Sequence, residues 1–137
     1  MAAIPGHIEC GSNAASIVPE LGPEPEDFVI SRLHGVSPFS GTSLDITLRS
    51  LNVQTLMLAG VSVNLGVLGL AIEAVNLGYE VIVLDDAVAG IPESYVADVK
   101  RYTLRHIARF YNCHEVQQRW VSCRNEQNQG ENHYAKI

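Results

Sequence analysis

Residues 56–72 read LMLAGVSVNLGVLGLAI, seventeen positions without a charge, and no other feature constrains the fold of this chain as strongly. The run is short of the roughly 20 apolar residues that a bilayer-spanning helix needs, and Gly60, Ser62, Asn64, Gly66 and Gly69 interrupt it. A buried strand that turns tightly into a buried helix accounts for the same residues, so no membrane partner is expected. Residues 54–59 lack polar alternation after Thr55, the pattern of a parallel strand covered on both faces. The helix should begin near Asn64 and stop at Asn76-Leu77-Gly78, with Gly78 as the left-handed residue that closes it. Residues 79–84 (YEVIVL) repeat the buried-strand pattern and end at Asp85-Asp86.

On the N-terminal side, Phe28-Val29-Ile30-Ser31 is a candidate strand, followed by a loop over residues 32–41 (RLHGVSPFSG). Thr42 and Asp45 have capping-box spacing, and Leu44, Leu48 and Leu51 fall on one helical face. On the C-terminal side, Pro92 suits the first turn of a further helix. Val96, Val99, Thr103, Ile107 and Phe110 recur there at helical spacing, and a short strand is expected near residues 114–118. Residues 1–27 read as an irregular arm and residues 124–137 as a polar, disordered tail. That leaves residues 28–120 as the one domain that a chain of 137 residues, 47% hydrophobic, can build. Strands and helices that alternate through short connections imply an α/β fold: a three-layer α/β/α, Rossmann-like domain with a parallel sheet. Ligands of such sheets bind beyond the carboxyl ends of the strands, which here singles out residues 32–39, 60–66 and 85–91.

Composition narrows the function. Nine Lys and Arg against 15 Asp and Glu give a net charge of −6, with the basic residues scattered, so nucleic acid is not an expected partner. The first residues, MAAIPGHIEC, lack the charged start and apolar core of a signal peptide, and three cysteines make an odd count. Both suit reduced thiols in the cytoplasm. Asp85-Asp86 is a pair of adjacent acids without a coordination set, and Cys113-His114 with Cys123 lacks the paired spacing of a zinc site. No metal and no cofactor are expected. His106 reads as a packed residue. The N–H groups that open the helix after Gly60 can hold an anionic oxygen, although glycine in such a turn serves equally to pack helix against strand.

The stretch from Leu56 through Val67, continuing through Ala71, Ala74, Leu77-Gly78-Tyr79-Glu80-Val81 and Asp86-Ala87, resembles the signature of the isochorismatase-like hydrolases. Ile17-Val18-Pro19-Glu20-Leu21 resembles the segment that precedes the family's lysine strand. Ser37-Pro38-Phe39, Thr42 and Leu44-Asp45 resemble the loop and helix after that lysine. The similarity spans about residues 17–110. It implies a non-proline cis peptide between Val61 and Ser62, with oxyanion donors at the N–H groups of Ser62 and Gly66. Gly66 falls at the position of the amidase branch's cysteine nucleophile, and Arg32 at that of the catalytic lysine. His34, Phe39 and Asn64 are the implied substrate contacts.

The same resemblance sets limits. The family's catalytic aspartate lies on an N-terminal strand in an Asp-x-Gln setting, and this sequence begins after that point, so that strand is expected to be missing. Arginine in place of lysine keeps the charge but exchanges a titratable ammonium for a planar fork that stays protonated. Glycine offers no nucleophile, which excludes acyl-enzyme chemistry at position 66. Isochorismatases proper also have glycine there and cleave a vinyl ether by protonation and water addition. The resemblance therefore implies a small-molecule hydrolase that forms homo-oligomers and, if active without that aspartate, works by the non-covalent vinyl-ether route; whether it is an enzyme is left open. The alternatives are an inactive relative serving as a binding or oligomerisation protein, and a shortened, marginally folded product.

Overall fold

The computed structural model describes residues 16–32 and 34–122. The chain divides into two compact units, residues 1–30 and 31–137. The described part of the first unit is irregular. It holds one 3-10 turn, Pro19–Leu21, with the Leu21 N–H on the Val18 carbonyl at 2.9 Å. The Asp27 carboxylate accepts the Glu24 N–H at 2.8 Å. The strand expected at residues 28–31 is not formed, and Phe28 and Val29 are exposed. Apolar character alone does not make a strand, because the backbone needs a ladder partner, and no described strand pairs with this run. Residues 1–15 and the expected tail over residues 124–137 lie outside the described residues.

In the second unit, β1 (Thr55–Val61), β2 (Glu80–Ala89) and β3 (Arg109–Tyr111) form a parallel sheet in the order β1-β2-β3. The helices are α1 (Leu44–Ser50), α2 (Leu68–Asn76) and α3 (Glu93–Tyr102), with residues 113–122 forming α4. The architecture is α/β with a parallel sheet, as the alternation of elements implies. Leu58, Val81 and Val83 face the core from the sheet. Against them lie Val63, Val67, Ala71 and Ala74, spaced by four, four and three so that one stripe of the helix is buried. Burial of that stripe holds α2 on the sheet, and α2 ends where Gly78 turns to a φ of 87°.

Several elements differ from their sequence pattern. Asp45 does not cap α1. Its carboxylate accepts the Tyr79 hydroxyl at 2.8 Å and pairs with Arg49 at 3.3 Å, while Ser43, the residue before the helix, makes no side-chain cap. β2 does not stop at Asp85-Asp86. It runs on to Ala89 through an irregularity, since the pairing steps from Leu58↔Val83 to Gly60↔Val88. Pro92 precedes α3 as its N-cap and follows a cis peptide. The spacing that extended a helix to Phe110 is broken by Thr103 (φ −126°, ψ −65°), after which Leu104–His106 form a 3-10 turn and Phe110 enters β3. The strand expected near residues 114–118 is the helix α4. Asn112 and Glu115 set its start: the Asn112 side chain accepts the Glu115 N–H at 2.8 Å, and the Glu115 carboxylate accepts the Asn112 N–H at 2.8 Å. That reciprocal pair is a capping box.

Candidate functional site

The strand-to-helix turn is built by a change of helix type. Ser62 is extended (φ −104°, ψ 140°), and Val63–Val67 then form a single π turn before α2. The Val67 N–H reaches back five residues to the Ser62 carbonyl at 3.1 Å. Val63 and Val67 are both buried, so their packing fixes the wide turn while Ser62, Asn64 and Leu65 lie on its outer side. Such π turns occur often at functional positions. The Val61–Ser62 peptide is cis, at the bond to which the resemblance assigned it.

A cavity of about 490 Å³ opens over this turn, lined by Val61, Ser62, Asn64, Leu65, Ala89, Gly90 and Ile91. It sits at the carboxyl ends of β1 and β2, where Val61 pairs with Ala89. Two walls meet there, one from residues 61–65 and the other from residues 89–91. Asn64 joins them, its Nδ2 donating to the Ile91 carbonyl at 3.2 Å. Ser62 and Asn64 supply the polar side chains of the lining, and none of the seven lining residues is titratable.

Gly66 lies within the π turn. A Cβ there would meet nothing closer than the Val61 carbonyl oxygen at 3.9 Å. Packing therefore does not demand glycine at position 66. Gly90 is different: a Cβ there would fall 2.7 Å from Asn64 Oδ1 and 3.0 Å from Val96 Cγ2. Gly69, one turn along from Gly66, lets the loop carrying Arg32 approach, since its Cβ would lie 2.9 Å from Val36 Cγ1.

The remaining expected site residues lie elsewhere. Arg32 is exposed, and its Nη1 donates to the Val36 carbonyl at 2.6 Å, which closes its own loop. His34 rests its ring against Gly41. Phe39 is a core residue, 7% exposed, stacked on Tyr79 at 5.9 Å between centroids. Burial pushes the Tyr79 phenol above its ordinary value, and its hydrogen bond to Asp45 adds to the shift. Asp85 and Asp86 serve the protein itself. Asp85 pairs with Lys100 of α3 at 2.9 Å, and Asp86 accepts the Cys113 N–H at 2.9 Å where α4 begins. That backbone hydrogen bond holds the Asp86 carboxyl below its ordinary value, while the side-chain interaction of the Cys113 thiol with the same carboxylate raises the thiol. Among the described residues, no group of three or more His, Cys, Asp or Glu converges as a metal site, and no helix is long and apolar enough to cross a membrane.

A family model for the isochorismatase domain matches residues 2–111. The chain belongs to the isochorismatase family. An uncharacterized isochorismatase family protein of Bacillus subtilis (strain 168), YwoC, is 36% identical over 84 residues, which is 61% of this chain and 44% of that relative. The chain thus spans less than half the length of that curated relative. Among solved structures, it is similar to an isochorismatase-like hydrolase from Alkaliphilus metalliredigens, with a TM-score of 0.80 and 26% identity over 88% of this chain and 66% of that one. It is also similar to the N-carbamoylsarcosine amidase of Thermoplasma acidophilum, with a TM-score of 0.66 and 28% identity over 74% of this chain and 57% of that one. For an isochorismatase-family chain, the cavity residues Ala89, Gly90 and Ile91 are those that sequence reasoning passed over within the segment it marked. Gly90-Ile91-Pro92, at the end of a strand, was the available signal.

Proposed function

We propose that the chain acts as an isochorismatase-like hydrolase on a small molecule, by vinyl-ether hydrolysis without a covalent intermediate. The observation that carries this reading is the unfilled position 66. The turn has room for a side chain there and carries none, so an acyl-enzyme cannot form at that atom. Cys113 offers no substitute, because its raised thiol stays protonated at neutral pH and lies at the start of α4. In the proposed reaction an acid protonates the terminal carbon of the enol ether, water adds to the adjacent carbon, and the resulting hemiketal releases an alcohol and a ketone. The N–H groups of Ser62 and Gly66 are offered to an anionic oxygen of the substrate and Asn64 lines its surroundings, whereas Arg32, His34 and Phe39 lie outside the lining of this cavity. No residue lining the cavity is an acid, so the proton must be supplied from outside that lining. The same proposal has the protein working in the cytoplasm as a homo-oligomer, a reading that the exposed apolar side chains of Val61, Leu65 and Ile91 at the cavity support.

A second reading, an inactive relative that binds a ligand or assembles, is favoured by the same absence of titratable lining. The purified protein incubated with isochorismate and, separately, with nicotinamide discriminates them. Pyruvate release from isochorismate with intact nicotinamide is the expected result. Amide hydrolysis would overturn the reading of Gly66, and a folded protein inert toward both would favour the second reading.

A further inference from the structure

Asn64 and Gly90 are fitted to one another in a way that neither residue's place in its own element requires. Asn64 lies in the π turn after β1, and Gly90 follows the last residue of β2. The Asn64 amide spans the gap between them with both of its ends. Nδ2 donates to the Ile91 carbonyl at 3.2 Å. Oδ1 is buried against Gly90, where a Cβ would come within 2.7 Å of it. Among the described residues, this oxygen is the buried side-chain polar atom left without a hydrogen-bond partner. A buried amide oxygen with no donor is costly, so its position needs a compensating contact. The Cα–H groups of glycine can supply a weak one only because no side chain stands between them. Ile91, held by its carbonyl, is 86% exposed at the cavity, which leaves little apolar packing to hold it otherwise.

We propose that Asn64 is a positioning residue: with Gly90 it locks the segment 89–91 against the turn 61–65, and so sets the width of the cavity for its ligand. Asn64 lines the cavity while its amide Nδ2 is engaged by the protein's own backbone. The lock acts on the accepted substrate through the wall it holds.

Hydrogen exchange of the full chain tests this directly. In Asn64→Leu, which keeps the bulk and removes the hydrogen bond, the amides of residues 89–91 should exchange about tenfold faster, while those of Val81 and Val83 in the core stay as in the parent. Unchanged exchange at residues 89–91 would overturn the lock. Gly90→Ala provides a second arm that does not depend on the first variant folding well. It should loosen the same amides in the parent and do so far less in an Asn64→Ala background, because the clashing oxygen is gone. Equal effects in both backgrounds would overturn the pairing of the two residues. The Asn64 side-chain NH₂ resonances should be slow to exchange in the parent and fast in Gly90→Ala. Fast exchange in the parent would contradict the bond to Ile91. The effect on turnover rests on the proposed vinyl-ether reaction: Asn64→Leu should raise KM for isochorismate more than it lowers kcat, and a kcat loss at constant KM would overturn the positioning role. The exchange readout needs no turnover, so failure of the lock and failure of the reaction are told apart.

Discussion

Glycines 66 and 90 stand at the same turn and have opposite meanings. Gly90 is demanded by contact, since any side chain would strike Asn64 and Val96. Gly66 is tolerated by geometry, because a Cβ would find ordinary van der Waals space. Packing therefore does not account for the absence of a side chain at position 66. Gly66→Cys should fold as the parent does, and urea unfolding should show stability unchanged or raised by up to about 1 kcal/mol, since glycine is a weaker helix former than its replacements. A loss of more than about 2 kcal/mol would mean that the turn is tighter than the present geometry, as overpacked sites behave. The ring of Tyr79, at the opposite end of β2, gives a second residue-scale prediction. Its hydroxyl donates to Asp45, and the Arg49 guanidinium lies 4.5 Å from the ring centroid. Tyr79→Phe should cost about 1 kcal/mol in the same unfolding measurement, the usual value of one hydrogen bond.

Between elements, Asp86 joins β2 to α4 by accepting the Cys113 N–H, and this makes the helix pH-sensitive. The folded carboxyl titrates below its ordinary value of 3.8, so the stabilisation is present above that value and is lost as the pH falls below it toward the lower folded value. Trp120, the one tryptophan of the chain, lies in α4 and reports the change. Its fluorescence should shift as the pH falls below 3.8, and Asp86→Ala should abolish that transition by loosening α4 already at neutral pH. A parent transition unaltered by Asp86→Ala would refute the contact. Asn112→Ala, which removes the reciprocal cap, should cost about 1 kcal/mol. This contact also shows where the sequence was legible and where it was not. α2 and β2 announce themselves because a stripe spaced by threes and fours and a continuous apolar run are satisfied by burial. β1 forms where its apolar run predicts, but it is an edge strand of the described sheet with Leu58 alone buried, so the expected cover on both faces is not present among the described residues. Thr42-x-x-Asp45 and Asn112-x-x-Glu115 carry the same local signature, yet only the second closes reciprocally: Thr42 Oγ1 accepts the Leu44 N–H at 3.2 Å, but Asp45 is drawn to Tyr79 at a separation of 34 residues. Helical spacing likewise carried Phe110 into α3, because periodicity cannot register the break at Thr103. In the candidate site, the turn 61–66 could be read from its glycines. The segment 85–91 was marked as well, but its junction with the turn could not be read, because the bond from Asn64 to Ile91 that makes it crosses 27 residues.

For the whole molecule, the parallel sheet puts the candidate site at the carboxyl ends of β1 and β2, and the family match covers residues 2–111. On the proposed reading, Gly66 decides which chemistry that candidate site supports. The most direct test follows isochorismate turnover by the parent protein while its intact mass is recorded. The account predicts pyruvate release with the protein mass unchanged throughout. A covalent adduct accumulating during turnover, or no pyruvate at all from folded protein, would contradict it.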